Sequence, residues 1–237
     1  MTFFPFQHFL FWDGYYQLAY YHKEISLRPF KCQRGDRLLF IGDSITDAGK
    51  TNHAPPLGEG YVKMLASHLN QNHADLHLGV INHGISGNTI EGLTLRWDQD
   101  VISENPDWLF IMIGINDAHV TLNHSEPPSK RISIFTDMYT DLLSPSLKIM
   151  TPQNICLMTP FLISSEPESP IAQLNASYVK TVLQLGEQFQ IPTLNLQNIF
   201  TQTLTKHAPD YWSADGVHPF PHGHDLIHQT IYQYLSQ

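Results

Sequence analysis

Cysteine is scarce in this chain of 237 residues, which contains only Cys32 and Cys156. Two cysteines are too few for the disulfide framework of a small secreted domain, and their spacing matches no cysteine-based metal site. We therefore expect both residues to be buried thiols. We predict no metal and no other cofactor.

Basic residues are also few, because 13 lysines and arginines face 22 aspartates and glutamates, and the formal net charge at pH 7 is -9. Binding of nucleic acid requires clustered lysine and arginine side chains that neutralise phosphates. The composition therefore argues against a nucleic-acid partner and favours a small neutral substrate.

Long apolar runs are missing as well. No stretch approaches the roughly 18 uninterrupted apolar residues of a membrane-spanning helix, so no membrane span is predicted. The stretch from Phe3 to Trp12 is apolar, but it has neither a basic n-region nor a small-residue cleavage site. The sequence thus predicts no signal peptide and a cytoplasmic location.

From Arg37 onward, short apolar runs alternate with longer amphipathic stretches, a pattern typical of βα units on a parallel sheet. The runs are apolar throughout, as strands covered on both faces are. We predict an α/β fold with three layers, in which helices sandwich a central parallel sheet of about five strands. The predicted strands are 38–41, 78–81, 108–113, 155–158 and 192–196.

Three apolar stripes at helical spacing are expected to pack on this sheet. The longest follows Ser169 and Pro170, which are typical of a helix cap and the first helical residue. The stripes consist of Ile171, Leu174, Tyr178, Val182 and Leu185; of Tyr61, Leu65 and Leu69; and of Ile227, Ile231 and Leu235.

The first 34 residues differ from the rest, because ten aromatic side chains lie between Phe3 and Tyr21. We predict an N-terminal extension, residues 1–34, that packs on the domain of residues 35–237 or on a neighbouring subunit of a homo-oligomer. An aromatic lid over the substrate is the alternative.

Polar segments follow the predicted strands, where ligands bind in an open parallel sheet. Ser44 comes after the first strand, whereas Asp215 and His218 lie near the C-terminus. A serine hydroxyl needs a base to become a nucleophile, and His218 can serve if Asp215 holds its other ring nitrogen. Backbone N–H groups of Ser44 and Gly87, together with the Asn116 amide, can form an oxyanion hole.

Each residue alone has a structural interpretation as a helix cap or a turn residue, and the joint occurrence of all the blocks favours catalysis. The four blocks resemble those of the GDSL/SGNH hydrolases, most closely bacterial acetyl xylan esterases and related carbohydrate acetylesterases. The stretches that carry this resemblance are 39–47 (LFIGDSITD), 84–89 (GISGNT), 96–101 (RWDQDV), 106–108 (PDW), 111–117 (IMIGIND) and 157–161 (LMTPF).

The resemblance implies a flavodoxin-like SGNH hydrolase fold over residues 35–237 and a serine esterase that acts without a cofactor. It also implies hydrolysis of small acyl esters, acetyl esters of carbohydrates above all, through an acyl-enzyme. The matching positions are the nucleophile Ser44, the oxyanion donors Gly87 and Asn116, the acid Asp215 and the base His218.

The sequence departs from these esterases after the third block, where Ala118, His119 and Val120 replace the usual aromatic residue. We therefore assign a candidate substrate pocket to Asp43, Tyr211 and Trp212. Core packing explains Tyr211 and Trp212 equally well.

Four other interpretations need weighing. Residues 44–51 (SITDAGKT) end like a Walker A loop, but Pro55 and Pro56 break the helix that must follow. The residues His218, His222, His224 and His228 suggest a zinc site by composition. His224 and His228 are one helical turn apart on the last helix, but the acidic base of a metalloprotease helix does not accompany them. A non-catalytic binding module of the same fold would be expected to lack Ser44 or His218, but both residues are present. A lysophospholipase or thioesterase remains the alternative hydrolase.

Overall fold

The computed structural model describes residues 30–237. Residues 1–29 of the predicted N-terminal extension (1–34), with all ten aromatic residues between Phe3 and Tyr21, lie outside the described residues. Phe30 stacks on the ring of His73, and the backbone N–H of Lys31 donates to the carbonyl of Leu235. The described part of the chain thus begins beside the C-terminal helix.

Five parallel strands form one sheet in the order β2-β1-β3-β4-β5, which confirms the predicted sheet. The strand β5 is shorter than predicted, because the side chain of Asn195 accepts a hydrogen bond from the N–H of Asn198 and caps the next helix. The strands are β1 (Arg37–Gly42), β2 (Gly79–Gly84), β3 (Trp108–Met112), β4 (Ile155–Met158) and β5 (Thr193–Leu194).

The connections between strands are helical. Short 3-10 turns lie at Ala74–Leu76 and Pro152–Asn154, and a π turn lies at Asp98–Ile102. The helices are α1 (Ser44–Asp47), α2 (Tyr61–Asn72), α3 (Ile90–Thr94), α4 (Ile115–Leu122), α5 (Pro128–Ile149), α6 (Pro170–Phe189), α7 (Leu196–Thr203), α8 (Pro209–Trp212) and α9 (Pro221–Leu235).

Alternate residues of β1 face two separate cores. Leu38 and Phe40 belong to the core covered by α2 and α9, whereas Leu39 and Ile41 belong to the core covered by α5 and α6. A strand buried on both faces is apolar throughout, as the sequence predicted. These two cores make the three layers and confirm the predicted fold class.

The three predicted stripes pack into these cores, and both cysteines are buried free thiols. The helix after Ser169 begins at Pro170 as predicted. Ser169 is the N-cap residue as predicted, but its hydroxyl donates to the carbonyl of Glu166 and makes no bond to the first turn. Across residues 30–237, each helix is too short or too polar to cross a bilayer.

The sheet order creates the place for a site. Since β2 lies on one side of β1 and β3 on the other, the connections after β1 and β3 leave toward opposite faces and open a crevice between them. Register places Gly42 beside Met112, so both strands end at the same level. The segments that contain Ser44 and Asn116 therefore leave the sheet side by side.

We expect Phe110→Ala to lower the free energy of unfolding by about 3–5 kcal/mol, because Phe110 is fully buried and stacks on Phe40. Denaturant unfolding measures this change. Leu95→Ala is the matched control, since Leu95 is 85% exposed and its truncation should cost less than about 0.5 kcal/mol. Equal losses in the two variants would contradict the core assignment.

Candidate active site

The turn after β1 presents Ser44 at the start of α1. Asp43 caps this helix, because its carboxylate accepts the N–H of Ile45 at 3.0 Å. Gly42 is required for close packing, since a Cβ there would lie 2.3 Å from the carbonyl oxygen of Met112. The turn therefore holds Ser44 against the end of β3.

His218 reaches Ser44 from the other end of the chain. The Oγ atom of Ser44 lies 2.8 Å from Nε2 of His218, and Nδ1 of His218 lies 2.7 Å from Oδ2 of Asp215. The structure thus brings the three predicted residues into one line of hydrogen bonds. This geometry allows the serine proton to pass to the imidazole while the carboxylate stabilises the cation that results.

The loop between α8 and α9 holds Asp215 in place. Oδ1 of Asp215 accepts the backbone N–H groups of Val217 and His218 at 2.9 and 2.8 Å. The buried hydroxyl of Ser213 accepts the N–H of Gly216 and lies 2.8 Å from the carbonyl oxygen of His218. These hydrogen bonds within residues 213–218 hold the loop in one conformation.

The pKa of Asp215 reflects these contacts. Burial alone would raise it, but hydrogen bonds from His218, Val217 and Ser213 outweigh burial and hold the pKa below its ordinary value. Asp215 therefore stays ionised and acceptor-only at neutral pH. A carboxylate in that state keeps the proton of His218 on Nδ1 and leaves Nε2 free to accept.

The segment of residues 85–90, here called the oxyanion loop, is fixed first through Ser86. The hydroxyl of Ser86 donates to Oδ2 of Asp47 at 2.6 Å. Oδ1 of the same carboxylate accepts the backbone N–H and the hydroxyl of Thr51. Asp47 lies in α1, so the loop is joined directly to the helix that begins with Ser44.

The second half of the oxyanion loop is fixed through Asn88 and Ile90. The side-chain oxygen of Asn88 accepts a hydrogen bond from Arg96, and its backbone carbonyl accepts one from the amide of Asn116, both at 2.9 Å. The N–H of Ile90 donates to the carboxylate of Asp117 at 3.1 Å. The first turn of α4 thus holds the loop at two points.

Gly87 lies between these fixed residues with a φ of +81°, a conformation that favours glycine. Within residues 30–237, its N–H makes no hydrogen bond. Ser44 opens a helix, so its N–H has no carbonyl one turn earlier, and the Asn116 amide keeps a second hydrogen. The three predicted oxyanion donors are therefore available to a developing negative charge.

Buried acids lie directly behind the site. Burial raises the pKa of Asp43 to about 6 and, against the hydrogen bond from Ile90, the pKa of Asp117 to about 7. The charge of Asp43 adds to the shift of Asp117, and Arg131 opposes it. The low-dielectric surroundings that shift these groups also strengthen hydrogen bonds at the site.

The predicted substrate pocket needs correction. Asp43 is 1% exposed and lies beneath Ser44 as a helix cap, so it lines no pocket surface. Trp212 is also buried and packs against Phe200 in the core. Tyr211 is 46% exposed and its ring lies beside the imidazoles of His207 and His222, so it is the one residue of the three that remains at the surface.

Local geometry accounts for the residues of two alternative interpretations, the Walker A loop and the zinc site. Thr51 binds Asp47, and no helix follows residues 49–51, so these residues form no phosphate loop. His224 accepts the N–H of Tyr61, and His228 contacts His68. In the described part of the chain, no group of three or more His, Cys, Asp or Glu residues is arranged to hold a metal ion.

Sequence reasoning missed four supporting residues. Asp47, Arg96, Asp117 and Ser213 were not predicted as parts of the site, although three of them lie inside the quoted stretches. Their partners are remote in sequence or depend on loop conformation. For the three charged residues, burial of the side chain would have been the signal, and burial cannot be read from a single sequence.

A family model described as the GDSL-like lipase/acylhydrolase family matches residues 40–226. The chain belongs to this family. An acetylxylan esterase from Geobacillus stearothermophilus is 36% identical to this GDSL-family chain over 204 residues, which cover 83% of the chain and 92% of the esterase. These matches confirm the predicted family and the enzyme class, a serine carboxylic ester hydrolase.

Solved structures agree with the sequence matches. The crystal structure of the same Geobacillus esterase is 32% identical, has a TM-score of 0.78 and covers 86% of this chain and 96% of the esterase. Variants of that esterase described as catalytic mutants replace a serine, an aspartate and a histidine. An alpha/beta hydrolase from the metagenome of Lake Arreo, Spain, is 27% identical with a TM-score of 0.77, and the match covers 87% of this chain and 98% of that hydrolase.

We expect Asp117→Asn to remove part of the pH dependence of stability. The pKa of Asp117 is about 7 in the folded chain and 3.8 when unperturbed, so the contribution of this carboxyl to wild-type stability is lost as the pH rises through this interval. The stability of the variant relative to the wild type should therefore increase between about pH 4 and pH 8. Urea unfolding at several pH values measures it.

The control for this experiment is Asp98→Asn, because Asp98 is exposed. Its stability relative to the wild type should stay constant over the same pH range. A constant difference for Asp117→Asn as well would show that the buried carboxyl is not the source of the dependence.

Proposed function

We propose that this protein removes acetyl groups from acetylated carbohydrates, with Ser44 as nucleophile, His218 as general base and Asp215 as the residue that orients His218. The observation that carries the proposal is the unbroken line of hydrogen bonds from Ser44 through His218 to Asp215, at 2.8 and 2.7 Å. The acetylxylan esterase relative supports the acetyl preference.

In the first half of the reaction, Oγ of Ser44 attacks the acetyl carbonyl carbon while its proton passes to Nε2 of His218. The carbonyl oxygen becomes an oxyanion held by the N–H groups of Ser44 and Gly87 and by the Asn116 amide. Collapse of this intermediate breaks the bond to the sugar oxygen, which takes the proton from His218. Acetylated Ser44 remains.

In the second half, His218 removes a proton from water as the water oxygen attacks the acetyl-serine. The same three donors hold the second oxyanion, and its collapse returns the proton to Oγ of Ser44 and releases acetic acid, which loses its remaining proton to solvent as acetate. Protein groups supply each proton transfer, so the reaction as proposed uses no cofactor.

Carbohydrate is favoured over lipid as the alcohol portion. The side chains of His218 and Asp215 are 55% and 53% exposed, so in the described part of the chain they open directly to solvent. An open site suits a sugar chain that extends past the reacting group, whereas a lysophospholipase or thioesterase needs a long apolar groove. Variants of the Geobacillus enzyme are described as an acetyl-xylooligosaccharide esterase.

Two other expectations stay predictions. A homo-oligomer and a cytoplasmic location follow from the sequence alone, and an uncharacterized lipoprotein of Bacillus subtilis matches 40% of this chain at 33% identity. Fractionation of the native host and light scattering of the purified protein would test location and assembly separately.

Ser44→Ala should lower kcat for 4-nitrophenyl acetate by about four orders of magnitude or more, because it removes the attacking oxygen. Circular dichroism and thermal unfolding should match the wild type, since Ser44 is only partly buried. Ser67→Ala, at an exposed serine of α2, is the control and should retain full activity. Activity of Ser44→Ala close to the wild type would refute the proposed nucleophile.

A panel of 4-nitrophenyl esters from acetate to octanoate tests the acyl preference, and acetylated xylo-oligosaccharides test the alcohol. We expect kcat/KM to fall at least tenfold from acetate to octanoate, since each misfitting methylene costs about 1–3 kcal/mol. The enzyme should also release acetate from the oligosaccharides under the same buffer conditions. A maximum at eight carbons would favour the lipid hydrolase instead.

A further inference from the structure

Arg96 contacts three separate pieces of the site although it lies outside the catalytic line. It follows α3 and belongs to the stretch RWDQDV of residues 96–101. Its guanidinium donates to the carbonyl oxygens of Gly42 and His83 at 3.2 and 2.8 Å, and to the side-chain oxygen of Asn88 at 2.9 Å. A single side chain thus bridges the ends of β1 and β2 and the oxyanion loop.

The position of the guanidinium is itself fixed. Asp100, one helical turn later, pairs with Nη1 of Arg96 at 2.6 Å, and both side chains are 14% exposed. The next residue, Trp97, is buried and donates its indole N–H to Ser146 of α5. The neighbouring Trp97 thus fixes the backbone of Arg96 to the core, and Asp100 balances the charge of its guanidinium.

The contacts of Arg96 coincide with the two parts that must keep their spacing during catalysis. Gly42 immediately precedes Asp43 and Ser44, and Asn88 immediately follows Gly87. The Gly42 carbonyl also accepts the N–H of Ile85, at the start of the oxyanion loop. The guanidinium thus sets the distance between the nucleophile turn and the Gly87 donor.

We propose that Arg96 is a positioning residue that holds the oxyanion loop against the nucleophile turn, an inference that rests on the proposed esterase function of Ser44. Its planar fork of donors fits divergent acceptors, which a single lysine ammonium cannot satisfy at once. Displacement of an oxyanion donor by about 1 Å costs on the order of a hundredfold in rate.

The test compares Arg96→Lys with the wild type on 4-nitrophenyl acetate. We expect kcat to fall by roughly a hundredfold while KM changes less than about twofold, because the loop acts on the transition state. Affinity for a phenethyl trifluoromethyl ketone should fall by a similar factor, since its hemiketal oxyanion uses the same donors. A purely structural role would not link these two losses.

Arg37→Lys is the matched control. Arg37 begins β1 at the opposite end of the strand, and its guanidinium likewise pairs with a carboxylate and a carbonyl, both of Glu104. Its activity should stay within about twofold of the wild type. An equal loss of kcat in the two variants would overturn the positioning role of Arg96.

A second variant keeps the proposed role of Arg96 testable. If Arg96→Lys does not fold, the double variant Arg96→Met with Asp100→Leu removes both charges together and should show the same loss of kcat. Wild-type kcat in the variant that folds, or a loss confined to KM, would overturn the proposal. Absence of esterase activity in the wild type would instead refute the proposed function.

Discussion

The hydrogen bond between Ser44 and His218 is the contact on which the candidate site depends, and it joins residues 174 positions apart. Ser44 is placed by β1, which lies between β2 and β3 in the sheet, whereas His218 lies just before α9. Because α9 packs against α2 on one face of that sheet, helix packing determines whether the imidazole reaches the serine. The site is thus a product of core packing as much as of its own residues.

The polar groups behind the site form a second layer of constraint. Asp47, Arg96 and Asp117 each hold a different residue of the oxyanion loop. A buried or partly buried charge costs free energy unless it is hydrogen-bonded, and each of these side chains makes such bonds to the loop. Their arrangement fixes the residues around Gly87 and leaves its N–H without a hydrogen bond to any residue between 30 and 237.

The openness of the triad bears on the choice of substrate. His218 and Asp215 are each more than half exposed, and of the three predicted pocket residues only Tyr211 lies at the described surface, since Asp43 and Trp212 are buried. The described residues thus provide an exposed triad and one exposed aromatic ring of the predicted pocket. The acetyl preference and the alcohol preference are then separate questions, which the two substrate series address.

The sequence by itself determined the strands, their order of appearance, the apolar stripes and the blocks that contain Ser44, Gly87, Asn116, Asp215 and His218. These are local features, because alternation, apolar runs and turn residues act over a few positions. Only the tertiary structure decided that Asp43 is a buried cap, that Trp212 is core and that Arg96 spans three segments. Burial and the direction of a long side chain depend on residues that are distant in the chain, and no local pattern encodes them.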